Sequence, residues 1–223
     1  MKEGSVVFNY RFQSGLGCYE HGRFVREVTS EIMLTDDYGE HLEKIGQIDF
    51  LIIYIDQTYN SELSLYDILD AHSEYLARHI FKIIDYKTRG FTNKLLNFYD
   101  FEILGSNVCL IQKITILPEY RGHKIGAKAI KDLIFHYSAG CGLFALQPFP
   151  LQFEAKVSGD EDLEQGLETF EKNQKKANAK LKSYYESIGL KEIKGIKELM
   201  FYNPALTNKN FNSLNLEEQP FVK

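Results

Sequence analysis

An α/β domain, α+β in the way its strands form hairpins, is predicted by three observations. Residues 5–12, 24–34 and 42–55 carry alternating or densely branched and aromatic side chains, which is the pattern of strands. Residues 64–85 and 160–188 instead bring their apolar positions round at helical spacing. After Pro118 one pattern gives way to the other within a short loop, so a strand hands over to a helix there.

Each element has its own justification. Phe8, Tyr10 and Phe12 alternate with Val7, Asn9 and Arg11 in the first strand. The turn chemistry of Asp36, Asp37, Tyr38 and Gly39 joins 24–34 to 42–55 as a hairpin, with Gly46 a candidate bulge in the second arm. Leu65, Ile68, Leu69, Leu76, Ile80 and Ile83 share a face of one helix over 64–85, with Ser61 or Ser64 as its cap. A second hairpin is expected from strands at 97–104 and 108–117, joined through Gly105, Ser106 and Asn107.

Ile130, Leu133, Ile134 and Tyr137 define a helix that Gly140 can end, and 142–149 is a strand stopped by Pro148 and Pro150. The long helix expected over 160–188 has acids gathered in 160–171 and lysines in 172–182, a solvated face that also suits the helix dipole. A closing hairpin is expected at 191–202, interrupted at Gly195, followed by an irregular arm. This gives one domain over residues 1–203 and a C-terminal tail over 204–223, without internal repeats.

Composition removes several classes of function. With 223 residues, 44% hydrophobic and 13% aromatic, the chain can bury a sizeable core, which excludes a disordered polymer. Thirty-one acids against 26 Lys and Arg leave a net charge of -5, so no nucleic-acid or anionic-membrane partner is expected. The longest apolar run, Phe50 to Ile55, is far short of the roughly 20 residues that cross a bilayer. The first residues lack the apolar stretch of a secretory signal, and a cytoplasmic location is expected. Cys18, Cys109 and Cys141 are too scattered for a zinc site or a disulfide framework. His72 and His79 are seven apart, too wide for a chelating pair on a helix, so no metal is expected. The nucleophile elbow of serine hydrolases and the Walker loop of nucleotide hydrolases are also absent.

The chemistry concentrates after the strand at 108–117. There Pro118 closes the strand, and Arg121, Gly122, His123, Lys124, Ile125, Gly126 and Ala127 open the helix behind it. A helix start offers unpaired N–H groups and the positive end of the dipole, and glycine lets a phosphate come close to the main chain. An anionic phosphate ligand follows. This stretch resembles the acyl-CoA-binding motif of the GNAT superfamily of N-acetyltransferases, Arg-Gly-x-Gly-x-Gly or Ala after a strand ending in Pro. Arg121, Gly122 and Gly126 match, and Lys124 stands where the family has its central glycine. A second stretch, from Asn178 to Leu190, resembles the family's later helix, with Tyr185 and Asn178 on its characteristic positions.

The resemblance covers about 108–202 and implies a mixed, mostly antiparallel central sheet flanked by helices, here with an atypical strand-rich N-terminal half. It implies acyl transfer from acetyl-CoA to a primary amine of a small molecule or protein. It also implies that the loop amides hold the CoA diphosphate and that the backbone of Ile114, Thr115 and Ile116 pairs with the pantetheine, the Ile116 N–H polarising the thioester. Tyr185 matches the proton donor to the leaving thiolate. Glu102 and Glu154 are candidate general bases, and the run from Gln147 to Phe153 is a candidate acceptor wall. The alternative is a GNAT-like module that binds acyl-CoA without catalysis, as a sensor or interaction partner. A homodimer and the identity of the acceptor are both left open.

Overall fold

The computed structural model describes residues 4–14, 21–36, 38–153, 167 and 170–216. Three strands come first, β1 (Ser5–Arg11), β2 (Val25–Thr35) and β3 (His41–Ile53), followed by four short helices, α1 (Ile55–Thr58), α2 (Leu65–His72), α3 (Glu74–Ile80) and α4 (Asn93–Phe98). Then come β4 (Val108–Ile116), α5 (Ile125–Tyr137), β5 (Leu143–Leu146), α6 (Gln174–Ser187), β6 (Lys191–Ile193), β7 (Ile196–Tyr202) and α7 (Lys209–Asn212). All seven strands form one sheet in the order β1-β2-β3-β4-β5-β7-β6. Neighbours are antiparallel except β4 and β5, which run parallel because α5 carries the chain back across the sheet.

Side chains alternate between two buried layers. Val108 and Leu110 of β4, with Leu143 and Ala145 of β5 and Phe201 of β7, face Ile68 and Leu69 of α2, Leu76 and Ile80 of α3, and Leu95 of α4. Cys109, Ile111, Phe144, Leu146 and Met200 face the opposite way, against Ile130, Leu133 and Ile134 of α5 and Tyr185 of α6. Each such Leu, Ile or Phe contributes about 1.5–3 kcal/mol by leaving water. The sheet is therefore gripped from both sides at its centre. A smaller cluster of Ile32, Leu34, Ile45 and Tyr120 receives Ile125 and anchors the first turn of α5.

Four expectations are corrected. Residues 64–85 do not form one helix, because Ser73 is extended at φ -172° and starts α3 by accepting the Leu76 N–H on its hydroxyl. Ser64 caps α2 in the same manner. The strand expected over 97–104 does not exist: α4 ends at Phe98, and Asp100 and Phe101 then take left-handed conformations at φ 49° and 63°. Phe170 is not helical and α6 starts at Gln174, where the Asn173 side chain accepts the Lys176 N–H; most of the acidic run before it lies outside the described residues. The C-terminal arm contains α7, pinned by buried Phe211 and by the Lys131 ammonium on the Phe211 carbonyl.

The strand pairings of the N-terminal hairpin and of β6 with β7 agree with the sequence expectations. Gly46 adjoins a register shift, since Ile32 faces Gly46 while Met33 faces Lys44. A Cβ at Gly46 would come within 2.5 Å of the Thr115 carbonyl, so glycine also permits the close approach of β3 to β4.

Candidate functional site

The central strand β4 is held differently along its length. From Val108 to Ile111 it pairs with β3 on one side and with β5 on the other. The parallel ladder ends at Ile111 opposite Leu146, whereas pairing with β3 continues to Ile116. Pro148 and Pro150, which have no N–H to donate, follow shortly after β5. At the same level the β3–β4 register shifts, with Phe50 opposite Ile111 and Asp49 opposite Lys113, which leaves Gln112 as an extra, bulged residue.

Where the strands part, a cleft of about 650 Å³ opens between β4, the chain after β5, the start of α5 and one face of α6. Its wall contains Ile114, Thr115, Ile116, Arg121, Gly122, Lys124, Ile125 and Gly126 as well as Tyr185. The Leu117 N–H donates to the Ile45 carbonyl at 2.9 Å. Because backbone groups alternate along an antiparallel ladder, Thr115 also turns its own toward β3, and Ile114 and Ile116 turn theirs into the cleft. In agreement, Arg121 Nε donates to the Ile116 carbonyl at 2.8 Å. The Arg121 guanidinium also lies 4.7 Å from the ring centre of Phe170, across the cleft mouth.

The loop into α5 needs two left-handed residues. Gly122 has φ 85° and Lys124 has φ 59°, and Lys124 precedes the first helical residue without capping it through its side chain. Gly126 faces the hydroxyl of Tyr184, which would lie 3.2 Å from a Cβ at that position. Burial pushes the pKa of that hydroxyl up to about 12, against the opposing influence of the nearby Ala127 backbone. Tyr185, the next residue of α6, packs its ring into the core beside α5. Burial raises its phenol well above the ordinary tyrosine value, so it stays protonated near neutrality. No hydrogen bond joins the Tyr185 hydroxyl to another described residue.

Three of the motif residues lie outside the cleft wall. Ala127 is buried in the first turn of α5, His123 is half-buried in the loop, and Asn178 is half-buried on α6. Glu102 is exposed on a turn after α4, with its carbonyl accepting from Asn203, and does not reach the cleft. Glu154 lies outside the described residues.

Sequence reasoning missed a second cleft of about 620 Å³, lined by Glu27, Thr29, Asp49 and Tyr75. It shares Gln112, Lys113, Gln147, Phe149 and Leu151 with the first, so the two meet where β4 and β5 part. Asp49 is fixed there by Thr29 Oγ1 at 2.7 Å and Gln47 Nε2 at 2.8 Å, and the Tyr75 hydroxyl donates to Gln147 Oε1 at 3.0 Å. The run from Gln147 onward, expected to wall an acceptor pocket, does line this junction. Glu27 and Asp49 are brought together only by the β2–β3 register, which no local motif encodes.

Cys109, Cys141, His72 and His79 are not among the residues that line either cleft, although both imidazoles touch residues that line the second. Cys109 and Cys141 are free and buried, and burial pushes the Cys141 thiol up to about 12. His72 pairs with Glu27 at 2.9 Å, and His79 is enclosed with Nδ1 on the Tyr75 carbonyl at 2.8 Å. Among the described residues, no group of three or more His, Cys, Asp or Glu is placed to hold a metal, and no helix is long and apolar enough to cross a membrane. The chain matches no family model, no curated protein and no solved structure.

Proposed function

We propose that the chain is an N-acyltransferase of the GNAT type, moving an acetyl group from acetyl-CoA to a primary amine. The observation that carries this reading is one continuous cleft that begins at the Gly122–Gly126 loop, follows the unpaired edge of β4 and ends at Tyr185 and the Gln112 bulge. An extended, amide-bearing chain with a diphosphate at one end suits that path. Its phosphates meet the start of α5, and its amides pair with the backbone of Ile114 and Ile116 as an added strand would. From Ile116 to Gln112 the strand advances about 13 Å, which carries the thioester away from the loop and toward the junction of the two clefts.

The residues on this path supply the rest of the reaction. A neutral amine, entering through the second cleft, attacks the thioester carbonyl; the carbon–sulfur bond breaks, and the thiolate takes a proton from the Tyr185 phenol. That phenol is protonated near neutrality, as a donor to the departing thiolate must be. Glu27 and Asp49 are the carboxylates lining the acceptor side, where one of them can take the proton that the amine loses. In this reading Gln112 to Ile114 lie nearer the reacting carbonyl than Ile116 does.

The test is calorimetric binding of acetyl-CoA followed by a screen of amines for release of the CoA thiol. Binding with thiol release and formation of an acetylated amine is the expected result. Binding without turnover across small amines and peptides would leave the chain as an acyl-CoA-binding module, and absence of binding would remove the reading altogether.

A further inference from the structure

Resting on that reading, we infer that Tyr184 is a cofactor-binding residue, whose hydroxyl sits on the start of α5 and passes a hydrogen bond outward to the diphosphate of the bound CoA. Helix α5 begins without a side-chain cap of its own, because Lys124 occupies the cap position in a left-handed conformation and an ammonium has no lone pair to accept an N–H. Ala127, the third helical residue, would ordinarily leave its N–H to such a cap or to a ligand. In this chain the Tyr184 hydroxyl, reaching across from α6, stands against this first turn beside Gly126.

The arrangement has a chemical consequence. A phenol at a helix start has its own proton to give, and the positive end of the helix dipole makes that proton a better one. The Tyr184 ring lines the cleft and is 38% exposed, while Gly126 leaves room beside the hydroxyl that a Cβ would crowd at 3.2 Å. A phosphate oxygen approaching the loop therefore meets the phenol O–H beside Gly126 in addition to the backbone N–H groups. Neither the glycine loop nor the Tyr185 position predicts this; it arises because α6 crosses the start of α5 with two adjacent tyrosines, one turned to the core and one to the loop.

The experiment compares CoA with pantetheine, which lacks the diphosphate, by calorimetry on the full chain and on Tyr184→Phe. The substitution keeps the partly exposed ring, and thermal unfolding without ligand verifies that the fold persists. Losing one hydrogen bond to a charged oxygen should weaken CoA about tenfold or more while leaving pantetheine affinity nearly unchanged. Unchanged CoA affinity in the Phe variant overturns the assignment. Tighter CoA binding overturns it too, since the hydroxyl would then be occupying the place of the phosphate, and equal weakening of CoA and pantetheine would assign Tyr184 to packing. If the parent chain binds neither molecule, the acyltransferase reading itself fails, an outcome distinct from each of these.

Discussion

The two halves of β4 are the most instructive comparison in the molecule. Val108 to Ile111 have strands on both flanks and helices above and below, so every backbone group there has a protein partner close by. Gln112 to Ile116 belong to the same strand, yet their flank toward β5 is open and they border the larger cleft. The closed half is where apolar burial is most complete. The open half turns the main-chain groups of Ile114 and Ile116 away from β3 and toward a cavity, where the Arg121 side chain already meets the Ile116 carbonyl. One strand thus holds the sheet together along one half and borders a cleft along the other, with the bulge at Gln112 dividing the two.

The largest expected effect breaks the closed half. Leu110 is fully enclosed between two layers, and Leu110→Ala should cost about 2–5 kcal/mol in denaturant unfolding, because the surrounding sheet cannot collapse into the space. Ile114→Ala, in the half-buried wall of the cleft, should cost about 1 kcal/mol or less. Equal losses at the two positions would mean that β4 is not divided as described.

The next effect concerns chemistry at the end of the open half. Tyr185→Phe preserves the buried ring and removes the hydroxyl, so acetyl-CoA affinity should barely change while single-turnover acyl transfer falls about 100-fold. Transfer at the parental rate in a variant that binds normally would make Tyr185 a packing residue and send the search for the proton donor elsewhere.

A smaller effect tests the far end of the edge. Gly122 has φ 85° with open space around it, so Gly122→Val is opposed by the backbone conformation rather than by a neighbour. The loop should rearrange and acetyl-CoA should bind about tenfold or more weakly, as one or two loop amides turn away from the phosphates. An unaltered affinity in a folded variant would place the diphosphate outside this loop.

What the sequence disclosed follows the same division. The passage from β4 through Pro118 and Gly122 into α5 was legible because its signals are local: a period that changes, a proline that stops a strand, and glycines at a turn. The break at Ser73 was also locally encoded, by a serine three residues before Leu76, but the helical spacing on either side obscured it. Residues 97–104 misled for a different reason. Short apolar runs fit either period, and only Leu95 of α4 is buried, so nothing in the run marks helix over strand. The second cleft was invisible because Glu27, Asp49, Tyr75 and Gln147 come from four separate segments, and its walls exist only once strand register and helix placement are set.

The smallest expected effect separates the fold's requirement from the ligand's at a single residue. Lys124 is held at φ 59°, where an ordinary side chain costs roughly 1–2 kcal/mol, and it is exposed at the wall of the cleft beside the Gly122–Gly126 loop. Lys124→Gly removes that conformational cost but gives the unfolded chain more freedom, an opposing effect of about 0.4–1 kcal/mol. The variant should therefore be up to about 1.5 kcal/mol more stable than the parent in denaturant unfolding. Acetyl-CoA affinity should move the other way, falling a few-fold at low salt and converging with the parent as salt screens the lost charge, since the Debye length shrinks to about 3 Å at 1 M. A stability gain with a salt-dependent loss of affinity would show that this position serves the ligand at the expense of the fold. A Gly variant less stable than the parent would mean that the Lys124 side chain supports the loop, and a salt-independent loss would mean that it acts through loop shape rather than charge.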